Sequence, residues 1–297
     1  METKFLTPIL LLVFNRPDKT KLVFSQIKKI KPKILYIGAD GPRKNKENDI
    51  RKCNEVRNII SEIDWECEIR TLFRNENLGC SKAITSAIDW FFQNEDYGII
   101  LEDDCFPDLS FFPYCDELLR KYRDNSKIML ISGSNLGINS GIESYYFSRY
   151  GQIWGWATWK RAWEKYEKSV NFEHIKEKFV EKREERFWKR NFKKIIWDVQ
   201  WAVYSVWKND GIAILPNTNL VSNIGFGMDA TNYKDKNNIK ANIKTDAIHL
   251  PLLHPDNITI QTKVDMRIFH KNYYVPLHKR ILKKLKERTL SLLKINT

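Results

Sequence analysis

The first hundred residues alternate between two kinds of hydrophobic pattern. Short runs rich in apolar and β-branched residues predict buried β-strands at 8–14, 33–40, 66–74 and 97–104. The segments between them carry apolar residues at helical spacing and predict helices at 17–30, 45–63 and 80–94. This alternation is typical of βαβ units. We therefore expect an α/β fold with a mostly parallel central sheet and helices on both of its faces.

The second half of the chain is less regular. Its pattern predicts a helix at 109–122, a strand at 127–135, a long helical region at 171–211 and a further strand from residue 212. Neither an internal repeat nor a linker interrupts this half. We therefore expect one domain over 1–255, followed by an extension over 256–297.

The extension predicts a basic amphipathic helix over residues 276–295. Six lysines and arginines lie between Lys279 and Arg288. Five apolar residues lie near one face, namely Leu277, Ile281, Leu282, Leu285 and Leu292. Such a helix fits an anionic membrane surface. It also fits a C-terminal helix docked on the protein's own core, and the pattern leaves both interpretations open.

Polar residues follow each of the first four predicted strands. In a parallel sheet, ligands bind outside the carboxyl ends of the strands. The residues predicted to lie there are Asn15, Arg16, Asp40, Gly41, Arg74, Asn75, Glu102, Asp103 and Asp104. We therefore expect their side chains to line one crevice.

The three adjacent acids at 102–104 carry the candidate chemistry of this crevice. Oxygen ligands at the end of a strand suit a hard divalent cation such as Mn²⁺ or Mg²⁺, which keeps waters and takes further ligands from phosphate groups. Arg16, Arg43 and Lys82 would supply hydrogen-bond donors for the same phosphates. Acidic runs also form solvated turns and helix caps, and the spacing alone does not decide between the two.

The composition adds three constraints. The 297 residues carry a net charge of +13 and a pI near 9.4, which favours an anionic partner, although a coding bias towards lysine explains the same charge. Five cysteines without metal-like spacing predict reduced thiols in a cytoplasmic protein. The apolar run at 8–14 is too short for a signal or a membrane span. We expect a soluble or peripheral protein on the inner face of the membrane.

Several stretches, taken together, resemble a known family. PILLLVFNRPDKT, ADGPR, NLGCSKAI and GIILEDDCFP resemble the nucleotide-sugar-binding half of GT-A glycosyltransferases. GWATWKRAW, WDVQW and LPNTNLVSNIGFG then follow in the order of the N-acetylglucosaminyltransferase I type and related bacterial glycosyltransferases. The resemblance covers residues 8–230. It implies a GT-A fold with a nucleotide-sugar-binding half at 1–135 and an acceptor and catalytic half at 136–255.

The resemblance also implies roles for individual residues. Asp104, the last acid of the Glu-Asp-Asp motif, would be the direct ligand of Mn²⁺ or Mg²⁺. Asp198, in WDVQW, would be the general base. Nucleotide-sugar binding would fall to Asn15, Arg16, Asp40, Gly41, Lys82, Glu102 and Asp103. His249 or His254 would be a further metal ligand or an ordinary histidine, and Asn232 stands where the bacterial relatives are expected to have histidine.

Asp198 has support of its own. It stands beside Trp197 on an apolar stretch, where desolvation raises the pKa of a carboxyl group towards a working value. A buried structural acid is the alternative. Because sugars pack well against indole faces, we expect aromatic residues to line the acceptor side. The residues expected there are Trp154, Trp156 and Trp201.

These expectations describe an inverting, metal-dependent glycosyltransferase. It would move a sugar from a nucleotide-diphosphate donor, a UDP-sugar by resemblance, to a hydroxyl of a glycan or lipid-linked glycan in bacterial surface polysaccharide synthesis. Two other classes stay open. One is a nucleic-acid-binding protein, against which the wide spread of the basic residues and the lack of a binding motif argue. The other is a catalytically inactive GT-A-like protein that binds partners.

Overall fold

The computed structural model describes residues 4–226 and 243–274. The helix predicted at 276–295 and Asn232 lie outside the described residues. The strands of the described part are β1 (Ile9–Val13), β2 (Ile34–Ala39), β3 (Glu68–Phe73), β4 (Tyr97–Glu102), β5 (Cys105–Pro107), β6 (Ile128–Ser132), β7 (Tyr145–Ser148), β8 (Trp156–Trp159), β9 (Ile212–Pro216) and β10 (Val221–Asn223).

Eight of these strands form the central sheet, in the order β3-β2-β1-β4-β8-β6-β9-β7. The first four pair in parallel, and β9 is parallel to β6. Within this sheet, only β8 and β7 are antiparallel to their neighbours. The described part is therefore a mixed, mostly parallel α/β structure, as the sequence pattern predicts. β5 and β10 form a separate antiparallel pair.

The helices of the described part are α1 (Pro17–Ile30), α2 (Glu47–Arg57), α3 (Cys80–Asn94), α4 (Phe111–Lys121), α5 (Lys160–Trp163), α6 (Lys182–Asn191), α7 (Trp197–Val199), α8 (Val206–Lys208) and α9 (Thr262–Asn272). A π-helical segment at Gln200–Ser205 joins α7 to α8. One turn of 3₁₀-helix at Phe192–Lys194 follows α6.

The expectation of one long helical region at 171–211 is wrong. The chain there folds into short helices, with extended backbone at Ile195 and Ile196. Trp188 and Phe192 reach the core at a spacing of four residues, but Trp197 follows only after five. A single helix of 3.6 residues per turn does not keep such positions on one face, so the helix ends between them.

The core has two layers, one on each face of the sheet. All five residues of β1 are buried, and successive side chains point to opposite faces. Ile9 and Leu11 pack in the layer that contains α1, α2 and α4, whereas Leu10 and Leu12 pack in the layer that contains α3, α5 and α9. Full burial of each such side chain stabilises the fold by about 1.5–3 kcal/mol.

The aromatic run at 145–163 contributes mainly to this core. It forms β7, β8 and α5, and all four residues of β8 are buried between β4 and β6. Trp156 and Trp201 have no exposed surface, and their rings lie 6.0 Å apart behind the sheet. Their expected place on the acceptor side is therefore corrected, because both indoles fill the interior.

Candidate active site

One cavity of about 330 Å³ opens at the carboxyl edge of the sheet. The chain passes from β1 to β2 on one side of β1, and β4 pairs on the other side. The cavity therefore lies at the point where the strand order reverses, which is the usual ligand position in open α/β sheets. Nine of the residues predicted for the site line it, namely Arg16, Asp40, Arg43, Arg74, Glu102, Asp103, Asp104, Trp154 and Asp198.

Arg16 joins the ends of β1 and β4. Its Nη1 atom donates to Asp104 Oδ2 at 2.6 Å and to Asp103 Oδ1 at 3.3 Å. Asp103 Oδ2 also accepts the backbone N–H of Phe14 at 3.3 Å. The three charged side chains are only 10–18% exposed. Two largely buried carboxylates thus share one guanidinium, which leaves an excess of negative charge in the cavity wall.

This excess of negative charge contributes to raised pKa values of the acids in the cavity. Burial raises the pKa of Glu102 well above its ordinary value, and the charges of Asp104, Asp103 and Asp198 raise it further. Burial raises the pKa of Asp103 to about 7, although Arg16 opposes the rise. A further positive charge in the cavity would therefore be stabilised by these carboxyl groups.

Asp198 enters the cavity from a different part of the chain. It lies in the first turn of α7, directly after the extended residue Ile196, and its Oδ1 accepts the Val199 N–H at 2.7 Å. Burial raises the pKa of Asp198. Because the Asp198 charge also raises the pKa of Glu102, the two carboxyl groups interact inside the same cavity.

Asp40 lines the cavity but is bound by the loop that leads into α3. Asp40 Oδ1 accepts the N–H groups of Gly41 and Leu78, each at 2.9 Å, and Oδ2 accepts the Asn77 side-chain amide at 2.9 Å. Gly79 then turns the chain into α3 with a positive φ of 77°. The Asp40 carboxylate therefore fixes the shape of this wall.

Asn75, which is exposed, and three other residues predicted to bind the donor do not line the cavity. Asn15 turns away and donates to Asp49 Oδ1 at 2.8 Å. Gly41 packs under the backbone of Glu76, where any side chain would overlap it. Lys82 lies exposed on α3. Each is close to the site along the chain, but local hydrogen bonding or the helix face directs it elsewhere.

Arg43 lines the cavity, and two hydrogen bonds to Asp49 fix the position of its guanidinium. Asp49 is buried and accepts from Arg43 Nε at 2.6 Å and from Nη2 at 2.9 Å. The guanidinium lies over the Phe14 ring, 5.4 Å from its centre. The hydrogen bonds from Arg43 and Asn15 lower the pKa of Asp49 to about 2.

The structure adds residues to the site that the sequence interpretation did not single out. Asn223 and Gly225 line the cavity beside Asp104, because the Ile224 N–H donates to the Asp104 carbonyl at 2.8 Å. A Cβ at Gly225 would overlap Asp104 Oδ2 and lie 3.0 Å from Asn223 Oδ1. Their stretch, SNIG, is part of the resemblance, but no local signal predicts that it pairs with β5.

Cys80 is a further addition at the first residue of α3. Burial and the charges of Glu102 and Asp198 raise the pKa of its thiol to about 11, against a hydrogen bond from Trp197. In the absence of a bound cation, the thiol is therefore neutral at physiological pH.

Metal ligands in this cavity are few. Among the described residues, no group of three or more histidine, cysteine or acidic side chains is arranged to hold a metal ion. His254 bonds to the Tyr145 hydroxyl at 2.9 Å and lies 3.1 Å from Glu117 Oε1, and His249 is exposed; neither lines the cavity. Asp104 and Asn223 instead present oxygen atoms to the space that a side chain at Gly225 would fill, and such oxygens suit Mg²⁺ or Mn²⁺.

Comparisons with known proteins found similarity only at the level of solved structures. No family model and no curated protein sequence matches the chain. It is similar to S. aureus TarS 1–349, with 10% identity over 74% of this chain and 59% of that chain and a TM-score of 0.43. It is also similar to the mannosyltransferase PcManGT from Pyrobaculum calidifontis in complex with GDP-Man and Mn²⁺, with 8% identity over 70% of each chain and a TM-score of 0.40. A third similar structure is an apo UDP-glucose pyrophosphorylase, with 10% identity over 71% of this chain and 90% of that chain and a TM-score of 0.40.

The fold and the cavity together define an α/β protein with an acidic cavity at the switch point of its sheet. Within 4–226 and 243–274, no helix is both long and apolar enough to cross a membrane.

Proposed function

We propose that the protein is an inverting, metal-dependent glycosyltransferase that moves a sugar from a nucleotide-diphosphate donor to a hydroxyl group of a glycan. One observation carries the proposal: the Arg16, Asp103 and Asp104 cluster and the isolated Asp198 carboxyl group line the same cavity from different parts of the chain. The cluster would supply charged groups that bind a diphosphate and its cation, and the Asp198 carboxylate would act as a general base.

The donor side is supported by the chemistry of the oxygen atoms around Asp104. The Asp104 carboxylate would ligate Mn²⁺ or Mg²⁺, and the Asn223 amide oxygen lies beside it. The cation supplies Lewis-acid stabilisation of the leaving diphosphate when it is bound. Arg16 and Arg43 line the same cavity and would donate to phosphate oxygens. Glu102 and Asp103 would orient the donor through its hydroxyl groups.

The acceptor side is supported by the setting of Asp198. A buried carboxylate with a raised pKa is a stronger base than an exposed one and suits proton removal from a hydroxyl. Asp198 would take that proton as the hydroxyl oxygen attacks the anomeric carbon from the face opposite the leaving group. Trp154, which also lines the cavity, would pack against a sugar ring. This displacement inverts the configuration of the sugar.

The nucleotide and the pathway are finer parts of the proposal. By resemblance to the N-acetylglucosaminyltransferase I type, the donor is a UDP-sugar and the acceptor is a glycan or lipid-linked glycan of bacterial surface polysaccharide synthesis. The enzyme would work in the cytoplasm, on the inner face of the membrane.

A thermal-shift screen tests the proposal. Nucleoside diphosphates and nucleotide-sugars are added with Mn²⁺, with Mg²⁺ or with a chelator, and the unfolding midpoint is measured. A ligand at a hundred times its dissociation constant stabilises the folded state by about 2.7 kcal/mol. We expect a metal-dependent shift with one nucleotide, followed by sugar transfer to a glycan mixture. No shift with any nucleotide would contradict the proposal.

A further inference from the structure

An exposed basic surface runs along α6 and the turn that follows it. We name it the basic stripe, and its residues are Lys182, Arg186, Lys189, Arg190, Lys193 and Lys194. All six are exposed. The four in α6 are spaced by four, three and one positions, so they share a face about 100° wide. The opposite face of α6 buries Glu184 and Trp188, which fix the helix to the core.

No acid of the described residues forms an ion pair with the basic stripe. Glu184 has no exposed surface, and it accepts from Arg149, from the Tyr150 hydroxyl and from the Val180 N–H. The positive charge of the stripe therefore faces solvent, and a partner would have to supply the negative charge.

The basic stripe leads directly to the cavity. Lys194 precedes Ile196 by two residues, so their Cα atoms lie within about 7 Å of each other. Ile196 lines the cavity and is 42% exposed, and Asp198 follows two residues later. From its first residue to its last, the stripe is about 20 Å long, given the rise of α- and 3₁₀-helices. An extended ligand on the stripe would therefore have one end near Ile196, at the cavity that Asp198 also lines.

We infer that the acceptor is a polyanionic glycan, a chain with repeated phosphate, sulfate or carboxylate groups, which binds along the basic stripe and presents a terminal hydroxyl to Asp198. The inference rests on the proposed function. A single exposed ion pair contributes little, about 0.2–1 kcal/mol. Repeated charges on one chain, in contrast, engage several cations at once, and each further contact is intramolecular.

The surface favours a charged chain over a lipid bilayer. Interfacial helices bind membranes by inserting an apolar face beside a basic one. The apolar face of α6 is already buried, since Trp188 is only 3% exposed. Within α6, the basic stripe thus offers charge without a free apolar face to insert, which suits a soluble polyanion.

Binding to defined probes tests the inference with the full chain. The probes are fluorescent dextran sulfate, uncharged dextran of the same length, a single-stranded oligonucleotide of equal charge, and phosphatidylcholine vesicles with and without phosphatidylglycerol. The stripe variant carries Lys189→Glu, Arg190→Glu, Lys193→Glu and Lys194→Glu. The control variant carries Lys29→Glu, Lys31→Glu, Lys121→Glu and Lys127→Glu. These four lysines are exposed near the amino edge of the sheet, so both variants change the net charge equally.

We expect wild type to bind dextran sulfate in a salt-dependent manner and not to bind dextran. The stripe variant should lose at least about tenfold in affinity, and the control variant less than about twofold. Equal losses in both variants would overturn the inference in favour of unspecific charge. Binding of anionic vesicles through the stripe without binding of dextran sulfate would overturn it in favour of a membrane. An oligonucleotide that binds through the stripe about tenfold more tightly than dextran sulfate would overturn it in favour of nucleic acid.

Two further measurements separate the possible failures. Unfolding midpoints of both variants, and a second stripe variant with glutamine at the same four positions, distinguish lost binding from lost folding. The metal-dependent nucleotide shift of wild type and stripe variant reports on the donor side alone. If that shift persists while wild type does not bind dextran sulfate, this inference fails and the proposed function stands. If wild type shows no shift, the proposed function itself fails.

Discussion

The Arg16 guanidinium and the Asp104 carboxylate form an ion pair of 2.6 Å that connects the residues following β1 and β4. Asp103 shares the same guanidinium at 3.3 Å. A cation that binds Asp104 must therefore share the carboxylate with Arg16 or displace it towards Asp103. Because a donor diphosphate would accept hydrogen bonds from Arg16, donor and metal binding should depend on each other.

Replacement of Asp104 by alanine tests this dependence. We expect Asp104→Ala to abolish the metal-dependent thermal shift with the nucleotide, a loss of up to about 2.7 kcal/mol at a hundred times the wild-type dissociation constant. The fold should persist, because Asp104 lies after the end of β4 and Arg16 keeps Asp103 as its partner. Asp18→Asn, which removes an exposed charge from the first turn of α1, serves as the control. A wild-type shift in Asp104→Ala would remove the metal role of this residue.

Gly225 allows a test that leaves every charge in place. In Gly225→Ala the new Cβ would overlap Asp104 Oδ2, so the carboxylate must move. We expect the metal-dependent affinity for the nucleotide to fall about tenfold, which equals 1.4 kcal/mol, while the ligand-free unfolding midpoint changes little. Gly141→Ala is the matched control, since its Cβ meets only the end of the flexible Glu143 side chain. Isothermal titration would measure the metal-dependent nucleotide affinity of both variants. Equal affinities in Gly225→Ala and Gly141→Ala would show that nucleotide binding does not depend on the position of Asp104.

Local signals predicted the framework of this site, and long-range pairing supplied the rest. The predicted helices at 17–30 and 80–94 agree with α1 and α3 at both ends, because Pro17 and Gly79 mark their starts locally. The antiparallel insertion of β8 between β4 and β6 has no local signal. For that reason the sequence could not predict that Trp156 is buried, nor that Asn223 on β10 meets Asp104.

The Asp49 and Arg43 pair predicts a pH dependence of stability. Its hydrogen bonds hold the pKa of Asp49 near 2, below the ordinary value of about 4. Since the pKa is lowered in the folded state, the stabilisation is present above pH 4 and is lost as the pH falls towards 2. Because Arg43 is 48% exposed and screened by solvent, we expect Asp49→Asn to lower the free energy of unfolding at pH 7 by only about 1–2 kcal/mol.

Urea unfolding at pH 7 and at pH 3 measures this difference. The difference in the free energy of unfolding between wild type and Asp49→Asn should shrink at pH 3. At that pH the Asp49 carboxyl group of the unfolded wild-type chain takes up a proton, whereas in the folded state it stays mostly ionised. Glu47 is an exposed acid in the same first turn of α2. Glu47→Gln should therefore show no comparable difference from wild type in the free energy of unfolding. A gap that is constant with pH would mean that Asp49 stabilises the fold by packing rather than by charge.

Asp198 is expected to act on the rate rather than on donor binding. Asp198→Asn keeps the size of the side chain and removes the base, so kcat should fall by about 10²–10⁴ while the metal-dependent nucleotide shift stays at its wild-type value. In wild type, the ionised form is the active one. Because burial raises the pKa of Asp198, kcat should begin to fall at a pH above the ordinary carboxyl value of about 4 as the solution is acidified.

Glu102 is the competing base, since its pKa is also raised and it lines the same cavity. The pH profiles of Glu102→Gln and Asp198→Asn, each measured beside the exposed-acid control Asp256→Asn, separate the two. If Asp198 is the base, Glu102→Gln retains the acidic limb of the kcat profile and raises KM for the donor, whereas Asp198→Asn loses the limb together with the rate. If Asp198→Asn instead keeps a wild-type kcat, Asp198 is a structural acid, and a Glu102→Gln variant without activity would transfer the role of base to Glu102.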